Sequence, residues 1–245
     1  MRGKNVSDIG EKARTIFLAV IMITSVMAAG VAFTGSTAAD APPDSPTTDP
    51  GNLQVSLLNE SNDANVTFGV NTTSKTINKT NATDSDVAVG SVNSDLDNTA
   101  KAIQFAIDNA TTEYSTVSVG PGIYNGSVSI DVNDLTLEGA DGASSTIIGQ
   151  SSVAVTSTTP SVEIADLRIK NPDGSRAVRV TDDATDVVIQ DNTVTNVNTG
   201  NDATQPRGIL VSGLDGGDSA DGLEIRNNTV DTVRGTGGNA DQTIG

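Results

Sequence analysis

Two stretches of this chain are near copies of one another. "DVVIQDNTVTNV" (residues 186–197) aligns with "GLEIRNNTVDTV" (222–233) at a spacing of 36, matching Ile189 to Ile225, Asn192 to Asn228 and Val194 to Val230. "SVEIADLRIKNP" (161–172) is a diverged earlier copy, with Ile164 and Ile169 in the apolar slots and Leu167 where Asn would stand. Between the copies, "AVRVTD" (177–182) matches "GILVSG" (208–213). Each period therefore holds at least two short strands separated by Asn, Asp and Gly turns. So short a unit cannot bury its own apolar face and must stack on its neighbours. The expected fold is all-β: a right-handed single-stranded parallel β-helix, a solenoid. A β-sandwich is the alternative, disfavoured because it does not require self-similar strand–bend units. Val and Ile suffice for a narrow stacked interior, which fits an aromatic content of 2%. Asn192 and Asn228 are expected at structural bends, their amides bonding backbone and the Asn of the next coil.

Upstream, the period is different. "NTAKAIQFAIDNA" (98–110) sets Ala100, Ile103, Ala106, Ile107 and Ala110 on one helical face, and Asp97 or Asn98 is the expected N-cap. This helix, over 99–110, would cap the first coil and cover its strand edges. From Ser115 onward the period is two: "STVSV", "NGSVSID" and "LTLEGADGASSTIIG" read as strands and turns.

The N-terminus reads as an export signal. Arg2, Lys4, Lys12 and Arg14 form a basic start, an apolar run follows from Ile16 to Phe33, and small residues close it at Ala38-Ala39. The alternative is an uncleaved anchor. The stretch 11–39 resembles the signal peptide of haloarchaeal surface-layer glycoproteins, sharing Lys12-x-Arg14, Phe17-Leu18-Ala19, Ser25-Val26, Ala32-Phe33 and Gly35-Ser36. That resemblance implies export to the cell surface. Residues 40–98 are rich in Asn, Thr, Ser and Asp, with a Pro-rich beginning, and read as a disordered linker. Short alternating pieces at 54–57 and 65–68 are candidate isolated strands. Eight glycosylation sequons start at Asn59, Asn65, Asn71, Asn78, Asn81, Asn109, Asn125 and Asn227, of which a minority is expected to carry glycan. The expected layout is thus a signal peptide (1–39), a sequon-rich linker (40–98) and a β-helix domain (99–245).

Composition removes whole classes of chemistry. The chain has no Cys and no His, so thiol nucleophiles, Ser-His-Asp triads and His- or Cys-ligated zinc are excluded. Its net charge of −17 argues against nucleic acid as a partner. Most of its acids are Asp and only six residues are Lys. Such a surface suits high salt, where self-repulsion is screened, and points to a halophilic source; an ordinary acidic secreted protein is the alternative.

Residues 99–233 resemble the N-terminal half of pectin-lyase-like right-handed parallel β-helices, as found in pectinesterases and NosD-type proteins. The helix at 100–110, then "TVSVGPGIYNGSVSID" with Tyr124, then "LTLEGADGASSTIIG" carry the likeness, although Gly126 stands where the family has Glu. The resemblance implies the fold. It leaves function open, because lyases, hydrolases, esterases, adhesins and structural spikes share it.

No catalytic residue can be assigned from sequence. Gln190-Asp191-Asn192-Thr193 is superficially like a pectinesterase element, but Arg226-Asn227-Asn228-Thr229 occupies the same repeat position, so a bend is the better reading. Asp182-Asp183 is a candidate carboxylate pair, read preferentially as a solvated turn. Arg176, Arg179 and Arg207 lie on or beside strands and are candidates for a lyase-like face. "GGDSAD" (216–221) approaches a calcium-binding nonapeptide; Asp215, Asp218 and Asp221 are a candidate oxygen set for weakly bound calcium, with a flexible acidic loop as the alternative.

"GNADQTIG" (238–245) parallels "NDATQPRG" (201–208), which leads into a strand, so the sequence reads as stopping where another coil would begin. No C-terminal anchor is visible, and membrane contact is expected only through the signal segment or an anchor missing from this sequence. The expectation is an extracellular or cell-surface module, non-catalytic, partnered by polysaccharide or a cell-envelope glycoprotein. The alternative is a polysaccharide lyase or glycoside hydrolase with an incomplete active face.

Overall fold

The computed structural model describes residues 53–61, 64–81, 87–140, 144–181, 184–199, 205–212 and 221–235. The expected signal segment and the Pro-rich start of the expected linker lie outside them. The described chain is mostly β-strand with one helix, and most of its strand pairing is parallel.

The linker reading fails from Leu53 on. Strands β1 (Gln54–Leu58), β2 (Ala64–Asn71), β3 (Thr76–Asn81) and β4 (Val87–Ser91) form an antiparallel run. The candidate strands at 54–57 and 65–68 are both present, yet they are not isolated. The reason is alternation: Val55, Leu57, Phe68, Val70 and Ile77 are buried between polar neighbours. Helix α1 (Lys101–Asp108) buries Ala102, Ile103, Ala106 and Ile107 against this run, and Phe105 stacks on Phe68 at 6.4 Å between ring centroids. The helix is shorter than the expected 99–110. Ala100 is its N-cap, with no side-chain cap bond. The expected caps are engaged elsewhere: Asn98 Oδ1 accepts the Asn93 N–H at 2.8 Å, and Asp97 accepts from the Asn93 side chain.

After the helix come β5 (Thr116–Val119), β6 (Gly122–Asn125), β7 (Val128–Ile130), β8 (Thr136–Gly139), β9 (Ser145–Ile148), β10 (Val153–Ser157), β11 (Glu163–Ala165), β12 (Arg168–Asn171), β13 (Arg176–Val180), β14 (Val188–Gln190), β15 (Thr193–Thr199), β16 (Arg207–Val211), β17 (Glu224–Arg226) and β18 (Thr229–Gly235). The chain visits three sheets in rotation. A nine-stranded sheet runs β17-β14-β11-β8-β5-β1-β2-β3-β4, a five-stranded sheet β18-β15-β12-β9-β6, and a four-stranded sheet β16-β13-β10-β7. From β5 onward every ladder is parallel, which sets the sandwich alternative aside.

Register follows the sequence repeat. Val117, Leu137, Ile164, Ile189 and Ile225 stand side by side in the nine-stranded sheet. Tyr124, Ile147, Ile169, Val194 and Val230 do so in the five-stranded sheet, and Val128, Val155, Val178 and Ile209 in the four-stranded one. Apart from Ile225, these columns belong to one contiguous apolar core that also takes in the helix. Each fully buried Val or Ile contributes about 1.5–3 kcal/mol relative to exposure. Tyr124, the largest buried side chain, donates its hydroxyl to the Gln54 carbonyl at 2.8 Å.

Left-handed residues mark the corners. Asp134, Ser161, Asp186 and Gly222, all with positive φ, precede the strands of the nine-stranded sheet; Asp166, Asp191 and Asn227, each at φ 56°, follow them. Asp and Asn tolerate this region because their short polar side chains bond local backbone.

The edges of the first strands are closed. β1 pairs with β5. The Ala100 N–H donates to the Asn125 carbonyl at 2.9 Å, and Thr99 Oγ1 accepts the Asn125 N–H, at the edge of β6. At β7, Gln104 reaches from the helix: its Nε2 donates to the Ser129 carbonyl and its Oε1 accepts the Ser129 N–H.

Candidate functional site: an arginine face

The outward face of the four-stranded sheet carries three arginines. Arg176 and Arg207 are direct register partners on β13 and β16, and Arg179 stands between Thr156 and Leu210. In β13, Ala177 and Val178 are both buried, which leaves Arg176 and Arg179 outside. The backbone at Arg176 is held tightly. Its N–H donates to the Ser152 carbonyl at 3.0 Å, its carbonyl accepts Asn171 Nδ2 at 2.6 Å, and Ser175 in turn accepts the Arg207 N–H. Asn171 is fully buried at the corner between β12 and β13, so it sets the angle at which Arg176 enters the face.

Among the described residues, none of the three arginines pairs with a carboxylate. Arg176 Nη1 donates to Ser175 Oγ, Arg179 Nε to Ser212 Oγ and Arg207 Nη2 to Gln205 Oε1. Arg176 Nε is buried without a partner. Burial, followed by the nearby charges of Arg179 and Arg207, lowers the Arg176 guanidinium from its ordinary pKa. An arginine stays protonated under such pressure, so three positive charges stand together with no carboxylate partner among the described residues. No Asp or Glu stands in the described strands of this sheet. On the preceding strand of the same rung, Arg168 and Lys170 face outward: Thr146 and Thr193 flank Arg168, and Ile148 and Thr195 flank Lys170. A planar guanidinium fork matches carboxylate and sulfate oxygens, and several forks in register match a repeating anion.

The nine-stranded sheet has the opposite character. Glu163 accepts from Gln190 Nε2. Partial burial, then the charges of Asp166 and Glu163, raises the Glu138 carboxyl above its usual range. Alternation within β8 and β11 turns both glutamates outward; sequence reading passed over them because they lie in short strands without any motif.

The residues singled out from sequence fall as follows. Asp182, Asp183, Asp215 and Asp218 lie outside the described residues. Asp221 is exposed, and its carbonyl accepts the Asp186 N–H. Among the described residues, no group of three acids is placed to hold a metal. Asp191 takes the left-handed bend beside Gln190, and Asn192 is buried in backbone hydrogen bonds, so this element lies inside the ladder. Of the sequon asparagines, Asn71, Asn109 and Asn227 are exposed, while Asn59, Asn78, Asn81 and Asn125 are half-buried and Asn65 lies in β2. Asn125 Nδ2 donates to the Leu96 carbonyl at 3.2 Å. Among the described residues no helix is long and apolar enough to cross a membrane.

No protein-family model matches the chain, nor does any curated protein or any solved structure.

Proposed function

We propose that this chain is a secreted or cell-surface module built as a right-handed single-stranded parallel β-helix, and that it binds an anionic polysaccharide without cleaving it. The rotation of the chain through three parallel ladders supports the solenoid reading. One observation carries the functional one: Arg176, Arg179 and Arg207 share an outward face on which the described strands place no carboxylate. Glycoside hydrolysis ordinarily uses a pair of carboxylates facing the bound sugar, and this face offers none among the described residues. The scarcity of aromatic rings favours saccharide over single-stranded nucleic acid, which relies on base stacking.

The net charge of −17 sets a condition on binding. At ~0.1 M salt the Debye length is about 10 Å and the acidic remainder of the molecule repels a polyanion; at ~1 M it is about 3 Å and only direct contacts act. Guanidinium–oxyanion bonds are that short. The test is binding of the full chain to a carboxylated, a sulfated and a neutral polysaccharide at both salt concentrations. Retention of the anionic chains in molar salt, lost at least tenfold in Arg176→Gln/Arg207→Gln, is the expected result. Equal binding of the neutral polymer, or appearance of unsaturated or reducing-end products, would overturn the proposal.

A further inference from the structure

The two ends of the stacked strands differ. At the first rung, β1, Ala100, Thr99 and Gln104 occupy the edges of β5, β6 and β7. At the last described rung, β16, β17 and β18 are each paired, among the described residues, on one side only, to β13, β14 and β15. Ile225 is 49% exposed, whereas Ile189, Ile164 and Leu137 in the same column are fully buried. Glu224 and Arg226 flank it, more than half exposed, in a loose ion pair of 3.7 Å. The Glu224 N–H donates to the Val187 carbonyl of the neighbouring rung, so alternation turns the Ile225 N–H and C=O toward the open side.

We propose that β17 pairs with β17 of a second copy of this chain, antiparallel and centred on Ile225. A head-to-tail stack would need a free edge at the first rung, and that edge is occupied. Joining two open ends requires a two-fold axis between the two β17 strands, which makes the contact isologous and the pairing antiparallel. The two Ile225 residues then exchange both backbone hydrogen bonds and close each other's apolar column. Glu224 of one copy falls opposite Arg226 of the other, twice, so the strand is complementary to itself in charge as well as in apolar character. The same axis brings β18 of one copy to β16 of the other. The proposal is independent of the saccharide reading.

The experiment is sedimentation equilibrium of the full chain in molar salt, where self-repulsion is screened. The wild-type chain is expected to dimerise. Glu224→Arg alone and Arg226→Glu alone face like charge against like charge, and each should weaken the dimer at least tenfold. Mixed one to one, they should form a heterodimer, because one supplies two arginines and the other two glutamates. The double variant Glu224→Arg/Arg226→Glu should dimerise as the wild type does. Amide exchange at Ile225 should slow with concentration in the wild type, a readout that needs no variant. A wild-type monomer at all concentrations, single variants that dimerise unchanged, or a mixture that stays monomeric would each overturn the proposal; a monomer that captures an unrelated strand would assign the edge to another chain.

Discussion

Asn192 and Asn228 are joined across a rung: the backbone N–H and the side-chain Nδ2 of Asn192 both donate to Oδ1 of Asn228, each at 3.1 Å. The same Nδ2 reaches the carbonyls of Ile164 and Gln190, and Asn192 Oδ1 accepts the Leu167 N–H. One side chain, 1% exposed, thus ties three successive rungs at one corner.

Asn192→Ala leaves buried carbonyls and an N–H without partners, at about 1–3 kcal/mol each before relaxation. We expect a loss of about 3–5 kcal/mol in urea-induced unfolding. Asn228→Ala should lose about 1–2 kcal/mol, since Asn228 is only half-buried. Equal losses for the two would show that no such hierarchy exists.

Gln104 replaces a missing strand with a single amide. Gln104→Leu keeps the volume and removes both bonds to Ser129. Because Ser129 is exposed and water can substitute, the expected cost is modest, about 1 kcal/mol. Faster amide exchange at Ser129, with unchanged exchange in β16, is the local signature to look for.

Gly174 sits where a Cβ would overlap Asn171 Nδ2 and the Ser151 carbonyl oxygen. Gly174→Ala must displace Asn171, and with it the bond that fixes the Arg176 carbonyl. A destabilisation of about 1–3 kcal/mol is expected, with weaker binding of anionic polysaccharide by the folded fraction. Binding unaltered in the folded variant would disconnect the corner from the arginine face.

Glu138 makes stability depend on pH. Its folded pKa is raised by burial first and then by Asp166 and Glu163, so the folded state holds the proton more strongly than the unfolded chain does. Below about pH 4 both states are protonated and Glu138 costs nothing. As pH rises, the unfolded chain releases its proton first, and stability is lost up to the folded pKa. Glu138→Gln should therefore be more stable than wild type at pH 7 and indistinguishable from it at pH 3. The comparison is of denaturation midpoints for the two proteins at each pH.

Much of the register was readable before any coordinates. Aligning "AVRVTD" with "GILVSG" pairs Val178 with Ile209 and Val180 with Val211, and those are the ladder partners. Alternation and repetition encode neighbours directly, because each apolar slot must face the same slot one rung away. The spacing of 36 was less general: Asn192 and Asn228 are 36 apart, while Leu167 and Asn192, one rung earlier, are 25 apart. Residues 54–57 read from sequence only as an isolated strand inside a linker, because their pairing with 116–119 joins segments about sixty residues apart, information no local window holds. The Asp-containing turns expected between strands are present, and Asp134, Asp166, Asp186 and Asp191 take the left-handed conformation at those corners. Convergence of Arg176, Arg179 and Arg207 could not be seen either, since it depends on two adjacent buried residues, Ala177 and Val178, shifting the alternation.

Rungs of 25 and 36 residues keep their buried columns in register despite a shift between Lys170 and Asn171, so most of the surplus lies in connections between strands. Length and composition can therefore drift in those connections while the buried columns stay in step. A molecule built this way separates what must be kept from what can be tried. Whole connections beside the arginine face can be exchanged or lengthened with the Ile and Asn columns left untouched.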